Sequence, residues 1–238
     1  EETAELVTAA GGIGIPVRTD HSVPAQVEAL FERVKRESGR LDVLVNDIWS
    51  GDELSEWKPF WALDTAKGFA MLDSAVRTHI ITSRYGAPMM VEQGSGLIVE
   101  VTDGDHFGYR GTMFYDLAKM AAIRMAFGMA SELRDHGVAA VAVTPGFLRS
   151  EEMLDRFGVT EANWMDAAAG ERGFEESETP SYVGRAVAAL AADPQVMGKS
   201  GGVFASWTLA KEYGFTDVDG RQPDWWEYVI RTTNEILD

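Results

Sequence analysis

The sequence predicts an α/β fold built on a doubly wound parallel sheet. Short apolar runs at residues 41–45 and 138–143 have the continuous hydrophobicity of strands that are buried on both faces. Amphipathic stretches such as Pro24–Ser38 alternate with these runs and have helical spacing. Strands that alternate with helices require right-handed crossovers, which place the helices on both faces of one sheet.

Composition narrows the class of protein. A chain of 238 residues with 45% hydrophobic residues fits one domain with a sizeable core. A net charge of −17 argues against nucleic acid and anionic membrane surfaces as partners, because both require a basic face. The sequence has no cysteine, which excludes disulfides and thiolate metal sites and fits a reducing compartment. We therefore expect a cytoplasmic protein without a metal site.

The remaining elements follow in chain order. We expect a helix over residues 1–10, a strand over 13–18, a long helix over 68–93, a strand over 97–101 and a helix over 112–136. A helix over residues 180–192 and a last strand over 202–205 complete the domain. The acidic stretch over residues 147–179 has no clear periodicity, and a segment of this length before a helix is typical of an active-site lid.

Three further features are expected to be structural. The run GGIG at residues 11–14 follows a helix and opens a strand, whereas a phosphate-binding loop follows a strand and opens a helix. The aromatic residues of the loop-rich stretch after residue 48 are expected to pack; they are Trp49, Trp57, Phe60 and Trp61. The histidines are too scattered for a metal site and are expected to be structural or solvent-facing; they are His21, His79, His106 and His136.

Candidate chemistry lies in residues 96–119. Tyr115 and Lys119 stand four residues apart on a predicted helix, so both side chains emerge on one face, about 5–6 Å apart at Cβ. At an effective dielectric constant of ~20, an ammonium ~5 Å from a phenol favours the phenolate by roughly 3 kcal/mol. Such a tyrosine can act as a general acid and base. A core tyrosine beside a solvated lysine is the alternative that this spacing leaves open.

Polar or glycine residues follow four of the predicted strands. They are Asp20, Asn46, Thr102 and the pair Pro145-Gly146. Ligands of parallel sheets bind outside the carboxyl ends of the strands. We therefore expect these strand ends to converge on one site, where Thr102 offers a hydroxyl to the same ligand as the tyrosine.

The Tyr-x-x-x-Lys motif, the hydroxyl thirteen residues before it and the Pro-Gly pair twenty-six residues after the lysine resemble the short-chain dehydrogenase/reductase family. The resemblance extends over essentially the whole chain and implies a single Rossmann-like domain. It also implies an NAD(P)-dependent reaction that interconverts a carbonyl and a secondary alcohol. Tyr115 would then exchange a proton with the substrate oxygen, Lys119 would support it and hold the nicotinamide ribose, and Thr102 would polarise the substrate.

The resemblance also assigns cofactor contacts. Asp20 is similar to the family's adenine-binding aspartate, and Asn46 to the first residue of its Asn-Asn-Ala-Gly run. The run PGFLRS is similar to the family's PG-x-V-x-T, which implies carboxamide contacts from the segment that contains Pro145, Gly146, Leu148 and Ser150. The cofactor is NADP or NAD, with NADP preferred. The run YGFTDVDGRQ at residues 213–222 resembles the branch called dehydrogenase/reductase member 1.

The sequence departs from the family pattern in three places that bear on the expected cofactor and substrate site. Residues 47–49 are Asp-Ile-Trp where the family has Asn-Ala-Gly, and Ala75 falls at the place of the catalytic asparagine of the long helix. The family's opening strand, TGxxxGxG turn, helix and second strand are not found. We therefore expect about fifty further residues upstream, or a fragment or degenerate relative of the family.

Two functions remain open at this point. The first is an oxidoreductase that acts on a small-molecule carbonyl or alcohol and binds neither nucleic acid nor membrane. The second is a non-catalytic binding or scaffold protein of the same fold, which the departures at Asp47 and Ala75 favour. The resemblance further implies a homodimer or homotetramer, formed through the helix that begins near residue 68 and the helix that carries Tyr115.

Overall fold

The computed structural model describes residues 1–51 and 53–233. Its strands are β1 (Val43–Asn46), β2 (Gly96–Val101), β3 (Val138–Thr144) and β4 (Val203–Ala205). All neighbouring strands are parallel, in the order β1-β2-β3-β4. Val43 lies opposite Leu97, Leu97 opposite Ala139, and Ala142 opposite Val203. The predicted parallel sheet is therefore confirmed.

Helices lie before, between and after these strands. They are α1 (Glu2–Ala9), α2 (Pro24–Ser38), α3 (Thr65–Leu72), α4 (Thr78–Gln93), α5 (Met113–Leu133), α6 (Glu151–Phe157), α7 (Pro180–Ala192), α8 (Ser206–Tyr213) and α9 (Trp225–Thr233). Local sequence sets several of their ends. Pro24 opens α2, where its missing N–H costs nothing, and Gly39 ends it with a φ of 73° that favours glycine.

Two hydrophobic clusters fill the two faces of the sheet. One joins α2 and α4 to the sheet through Phe31, Met90, Ile98 and Ala140. The other joins α7 and α8 to the opposite face through side chains that include Val141, Leu190 and Leu209. Successive residues of β3 alternate between these clusters, and all seven are buried. This arrangement explains why β3 is apolar throughout, as expected of a strand covered on both faces.

The strand predicted over residues 13–18 is wrong. The structure has an irregular segment there, and its apolar side chains face solvent, with Ile13 87% and Ile15 53% exposed. A strand is stable only when a neighbouring strand pairs its backbone groups, and no strand lies beside this segment in the described residues. Asp20 consequently does not end a strand. It lies in the turn before α2 and accepts hydrogen bonds from the N–H and hydroxyl of Ser22.

The long helix predicted over residues 68–93 is present but interrupted. A π-helical turn at Asp73–Arg77 separates α3 from α4 and contains Ala75. Such turns insert an extra residue into a helix and occur frequently at functional sites. The helix predicted over residues 112–136 ends as an α-helix at Leu133 and continues as a 3₁₀ turn over Arg134–His136.

The predicted lid over residues 147–179 is more ordered than its sequence indicates. It contains α6 and 3₁₀ turns at Trp164–Ala169 and Phe174–Glu176. Phe174 is fully buried against Phe147, Phe157 and Trp164, so aromatic contacts hold the segment together. Trp225 of α9 also contacts Phe147, as expected for a tail that packs on its own domain.

Candidate active site

Tyr115 and Lys119 lie on one face of α5, as their spacing predicts. The Lys119 Nζ lies 5.5 Å from the centre of the Tyr115 ring and 3.9 Å from the centre of the Trp49 ring. Trp49 also contacts Tyr115 edge to face, with ring centres 5.6 Å apart. The three side chains therefore form one cluster in which an ammonium lies on the π face of an indole, an attractive arrangement.

A small cleft, with room for about one water molecule, borders this cluster. Its walls come from the segment after β1, the π-helical turn, α4, the end of β2 and α5. The lining residues are Asp47, Ile48, Trp49, Ala75, His79, Val101, Ala118, Lys119 and Ala122. Small side chains at Ala75, Ala118 and Ala122 leave the space, while the charged groups stand around it. The cleft is therefore the candidate active site.

Asp103 is the hydrogen-bond partner of the Tyr115 phenol. The Tyr115 hydroxyl donates to Asp103 Oδ2 at 2.7 Å. Sequence reasoning favours Thr102 over Asp103 for a role beside the tyrosine, because a carboxylate repels a developing oxyanion. In the structure Thr102 is 2% exposed, and its hydroxyl donates to the backbone oxygen of Lys119 at 2.7 Å. Thr102 thus fixes the backbone of α5 at Lys119, while Asp103 contacts the phenol.

Asn46 lies at the end of β1 as predicted, but its side chain faces inward. It is fully buried, and its Nδ2 donates to Ser83 Oγ at 2.8 Å and to Glu100 Oε1 at 2.7 Å. Glu100, also fully buried, lies within β2, and its Oε2 is 2.6 Å from His79 Nδ1. Asn46, His79 and Glu100 therefore form a buried polar network behind the cleft.

Asp47 lies at the rim of the cleft. Burial of part of the carboxyl group raises the pKa of Asp47, and the positive charge of Lys119 opposes this shift. Asp20 is not among the residues that line the cleft. Its hydrogen bonds with Ser22 lower the pKa of Asp20, which stabilises the turn before α2. A contact between Asp20 and a cofactor stays a prediction.

The loop after β3 is held by Glu178. The Gly146 N–H donates to Glu178 Oε2 at 2.8 Å, and the Arg149 N–H donates to the Glu178 backbone oxygen at 2.7 Å. Leu148 forms a parallel β-bridge with Glu178, and Ser150 begins α6 by accepting from the Met153 N–H at 3.3 Å. These contacts order the segment that begins at Pro145. The cofactor contacts assigned to Pro145, Gly146, Leu148 and Ser150 stay predictions.

The loops after β2 and β3 are joined directly. The Gly104 N–H donates to the side-chain oxygen of Thr144 at 2.7 Å. Because Gly104 follows Asp103, this bond links the Tyr115 partner to the end of β3. The structure thus brings three strand ends together, those of β1, β2 and β3, where the sequence predicts four.

Sequence reasoning missed the network formed by His79 and Glu100. The signal was available in β2, because Glu100 is the charged residue within the apolar run GLIVEV. A carboxylate in a strand buried on both faces needs a polar partner. Packing was also predicted for Trp57, Phe60 and Trp61, but these side chains are 71%, 60% and 77% exposed.

No group of histidine, aspartate or glutamate side chains in residues 1–51 and 53–233 could hold a metal ion. Within the same residues, no helix is long and apolar enough to span a membrane.

Comparison with known proteins identifies the family. A family profile described as enoyl-(acyl carrier protein) reductase matches residues 1–200. Dehydrogenase/reductase SDR family member 1 of Mus musculus is 37% identical over 225 residues, which are 92% of this chain and 72% of the mouse protein. The Homo sapiens protein of the same name is 36% identical over 224 residues, with shares of 92% and 71%. The chain belongs to the short-chain dehydrogenase/reductase family.

Solved structures agree with this family membership. A putative short-chain dehydrogenase/reductase from Burkholderia xenovorans is 26% identical with a TM-score of 0.70, over 86% of this chain and 77% of that one. A putative dehydrogenase from Xanthomonas campestris has a TM-score of 0.75 over 94% and 78% of the chains, and at 21% identity it supports the fold alone. Membership in the short-chain dehydrogenase/reductase family supports an oxidoreductase with a Rossmann-like fold. It also confirms the resemblance to dehydrogenase/reductase member 1.

Proposed function

We propose that this short-chain dehydrogenase/reductase interconverts a small-molecule carbonyl and a secondary alcohol with NADP or NAD, and that Tyr115 is its acid/base. The observation that carries the proposal is the pairing of Tyr115 with Lys119, which lines the cleft and whose Nζ lies 5.5 Å from the centre of the Tyr115 ring. An ammonium beside a phenol favours the phenolate, because the opposite charges attract. Proton exchange with a substrate oxygen then becomes accessible near neutral pH.

Asp103 sets the opposite bias on the same phenol. Its carboxylate accepts the Tyr115 hydroxyl hydrogen bond at 2.7 Å, which favours the protonated phenol. Lys119 and Asp103 therefore act on the Tyr115 phenol in opposite senses. In carbonyl reduction the phenol donates its proton to the substrate oxygen, and the Lys119 ammonium stabilises the phenolate that remains.

The chemistry of the donor groups at this site suits the ribose of NAD(P). The donor set combines the Lys119 ammonium with the Tyr115 phenol, and both groups are suited to ribose hydroxyls. Bound NAD(P) supplies or accepts the hydride in this family. By resemblance alone we assign Asn46, whose side chain is buried behind the cleft, to cofactor binding, and the segment with Pro145, Gly146, Leu148 and Ser150 to the carboxamide side. Asp20 is assigned to the adenine side on the same ground.

Substitution of Tyr115 tests the proposal. Purified protein is incubated with NADPH or NADH and a panel of ketones, and consumption of the reduced cofactor is followed by absorbance. Tyr115→Phe should abolish turnover and leave cofactor affinity nearly unchanged, because it removes only the hydroxyl. Lys119→Met should reduce both turnover and affinity. Tyr109→Phe is the matched control, since Tyr109 is 63% exposed on the preceding loop. A Tyr115→Phe variant with most of the parent activity contradicts the proposal.

A non-catalytic binding protein of the same fold is the second candidate. The observation that favours it is Trp49, which stands beside Lys119 and Tyr115 where the family pattern has glycine. An indole at this place narrows the cleft next to the proposed acid/base. The two candidates differ in one result, because the binding protein should bind a ketone or alcohol without consuming any cofactor across the panel.

A further inference from the structure

His79, oriented by Glu100, hydrogen-bonds the segment that carries Trp49. His79 is 3% exposed on α4, and its Nδ1 lies 2.6 Å from Glu100 Oε2. A carboxylate that is fully buried requires a donor, so the ring places its Nδ1–H towards Glu100. This contact fixes the orientation of the imidazole and directs Nε2 away from β2, towards the segment after β1.

The other ring nitrogen holds the backbone of Ile48 in two ways. His79 Nε2 lies 3.2 Å from the Ile48 N and 3.1 Å from the Ile48 backbone oxygen. A neutral ring with its proton on Nδ1 accepts from the N–H, and a doubly protonated ring donates to the carbonyl. Both protonation states therefore have a partner on the same residue. The imidazole is held at both ends, by Glu100 within the sheet and by Ile48 at the cleft.

Trp49 follows Ile48 directly and is confined by its own neighbours. Its indole lies over Gly51 so closely that a Cβ at Gly51 would overlap the ring. The Lys119 Nζ lies 3.9 Å from the centre of the same ring. The position of the indole ring depends on where the backbone of Ile48 is held. The ring in turn bounds the space available to the Lys119 ammonium.

We propose that His79 and Glu100 are positioning residues of the active site, which act through Ile48 and Trp49 to place the Lys119 ammonium. The inference rests on the proposed function for its catalytic meaning, since Lys119 is there the partner of Tyr115. The charged groups that face His79 are Glu100 of β2 and Asp47 after β1, and His21 before α2 interacts with it electrostatically. Ala75, one turn earlier in the same helical stretch, lines the same cleft without a polar group.

A purely structural role makes a different prediction. If His79 served only to satisfy the buried carboxylate, removing both partners together would leave the active site intact. Replacing a buried ionic pair by apolar residues of similar volume is often neutral for stability, whereas removing one partner leaves an uncompensated buried charge. Such a variant leaves Asn46 its bond to Ser83 and removes its bond to Glu100, whereas the single variant Glu100→Gln retains an acceptor for Asn46 and controls for this loss. The double variant His79→Leu/Glu100→Met therefore separates the two roles.

The test observes Trp49 directly, without cofactor or substrate. The indole N–H signals of the 238-residue protein are recorded by ¹H–¹⁵N correlation NMR, and Trp49→Phe identifies the Trp49 signal among the seven tryptophans. The Trp49 signal should shift or broaden in the double variant and in Glu100→Gln. Gly51→Ala, which displaces the indole directly, should affect the same signal. Thr82→Val is the matched control, because Thr82 lies within the same helix, is 3% exposed and bonds His21 instead of Ile48.

Turnover supplies the second measurement. With the ketone panel and NADPH or NADH, the double variant should lose on the order of 10²-fold in kcat, the lower range for a positioned acid–base group. The Thr82→Val control should stay within about twofold of the parent. A folded double variant with an unmoved Trp49 signal overturns the inference, and so does a moved signal with parental kcat. If the Tyr115→Phe variant keeps its turnover, the proposed function fails. The NMR measurement then decides the positioning role by itself, and an unmoved Trp49 signal overturns it.

Discussion

Replacing Glu178 by glutamine should make the protein more stable above neutral pH. Glu178 is 1% exposed, and its Oε2 accepts from the Gly146 N–H and from the Ser206 hydroxyl at 2.6 Å. Burial raises the pKa of Glu178 from its ordinary value of 4.5 to about 7, and the nearby charge of Asp217 adds to this effect. Glutamine has the shape of the protonated carboxyl group and does not ionise.

The size of the stability change follows from the difference between the pKa of Glu178 in the folded protein and its pKa in the unfolded chain. Each unit between the two pKa values corresponds to 1.36 kcal/mol, so the interval from 4.5 to about 7 corresponds to roughly 3 kcal/mol. Below pH 4.5 the carboxyl group is protonated in both states and destabilises neither. Between pH 4.5 and about 7 the unfolded chain has lost the proton that the folded protein retains, so the free energy of unfolding falls across this interval and levels off above it. By pH 8 most of the roughly 3 kcal/mol should be lost in the parent and retained in Glu178→Gln.

The assay is urea unfolding followed by tryptophan fluorescence at pH values from 5 to 9. The difference in unfolding free energy between Glu178→Gln and the parent should grow with pH in favour of the variant. Glu28→Gln is the control, because Glu28 is exposed on α2 and should leave the pH dependence of the parent unchanged. Parallel curves for the parent and Glu178→Gln would refute the assignment of this pH dependence to Glu178.

Three further predictions concern the active-site helix. Thr102→Ala should lower the unfolding free energy by about 1–2 kcal/mol, because the backbone oxygen of Lys119 loses its donor, whereas Thr102→Ser should restore it in the same urea assay. Asp103→Asn should move the pH optimum of carbonyl reduction to lower pH, because the carboxylate no longer favours the protonated Tyr115; an unchanged pH–rate profile would remove Asp103 from the site. Phe127, 48% exposed on α5, should lie in a homodimer interface, so Phe127→Glu should convert a dimer to a monomer in sedimentation at micromolar concentration, and a monomeric parent would exclude that interface.

Sequence periodicity predicted the elements whose environment is uniform along their length. The strand β3 is apolar at nearly every position because both of its faces are covered, and the spacing of Tyr115 and Lys119 fixes their common face on α5. Periodicity could not reveal the π-helical turn at Asp73–Arg77, since one extra residue changes the faces of a helix without changing its composition. Periodicity also predicted a strand over residues 13–18, but a strand forms only when a neighbouring strand pairs with it.

The hydrogen-bond partners of the site residues were harder to predict than which residues belong to the site. The sequence places Thr102 and Asp103 next to each other, and only the geometry assigns the first to the backbone of Lys119 and the second to the phenol of Tyr115. Both residues follow the end of β2 and contact α5, Thr102 at the backbone of Lys119 and Asp103 at the side chain of Tyr115, so the alternation of a strand does not predict their partners. The Thr102 hydroxyl bonds the backbone of α5, and its contact with a substrate stays a prediction.

The carboxylates around the cleft favour one state of the proposed acid/base. Asp103 accepts a hydrogen bond from the Tyr115 phenol, and Asp47 lies close enough to Lys119 for the two charges to interact. Negative charge at both places stabilises the protonated phenol and the protonated ammonium. Protonated Tyr115 is the form that donates to a carbonyl oxygen, whereas alcohol oxidation begins from the phenolate. We therefore expect reduction to reach its maximal rate at a lower pH than oxidation. Measuring both directions with one ketone–alcohol pair tests this order, and a reduction optimum at or above the oxidation optimum would contradict it.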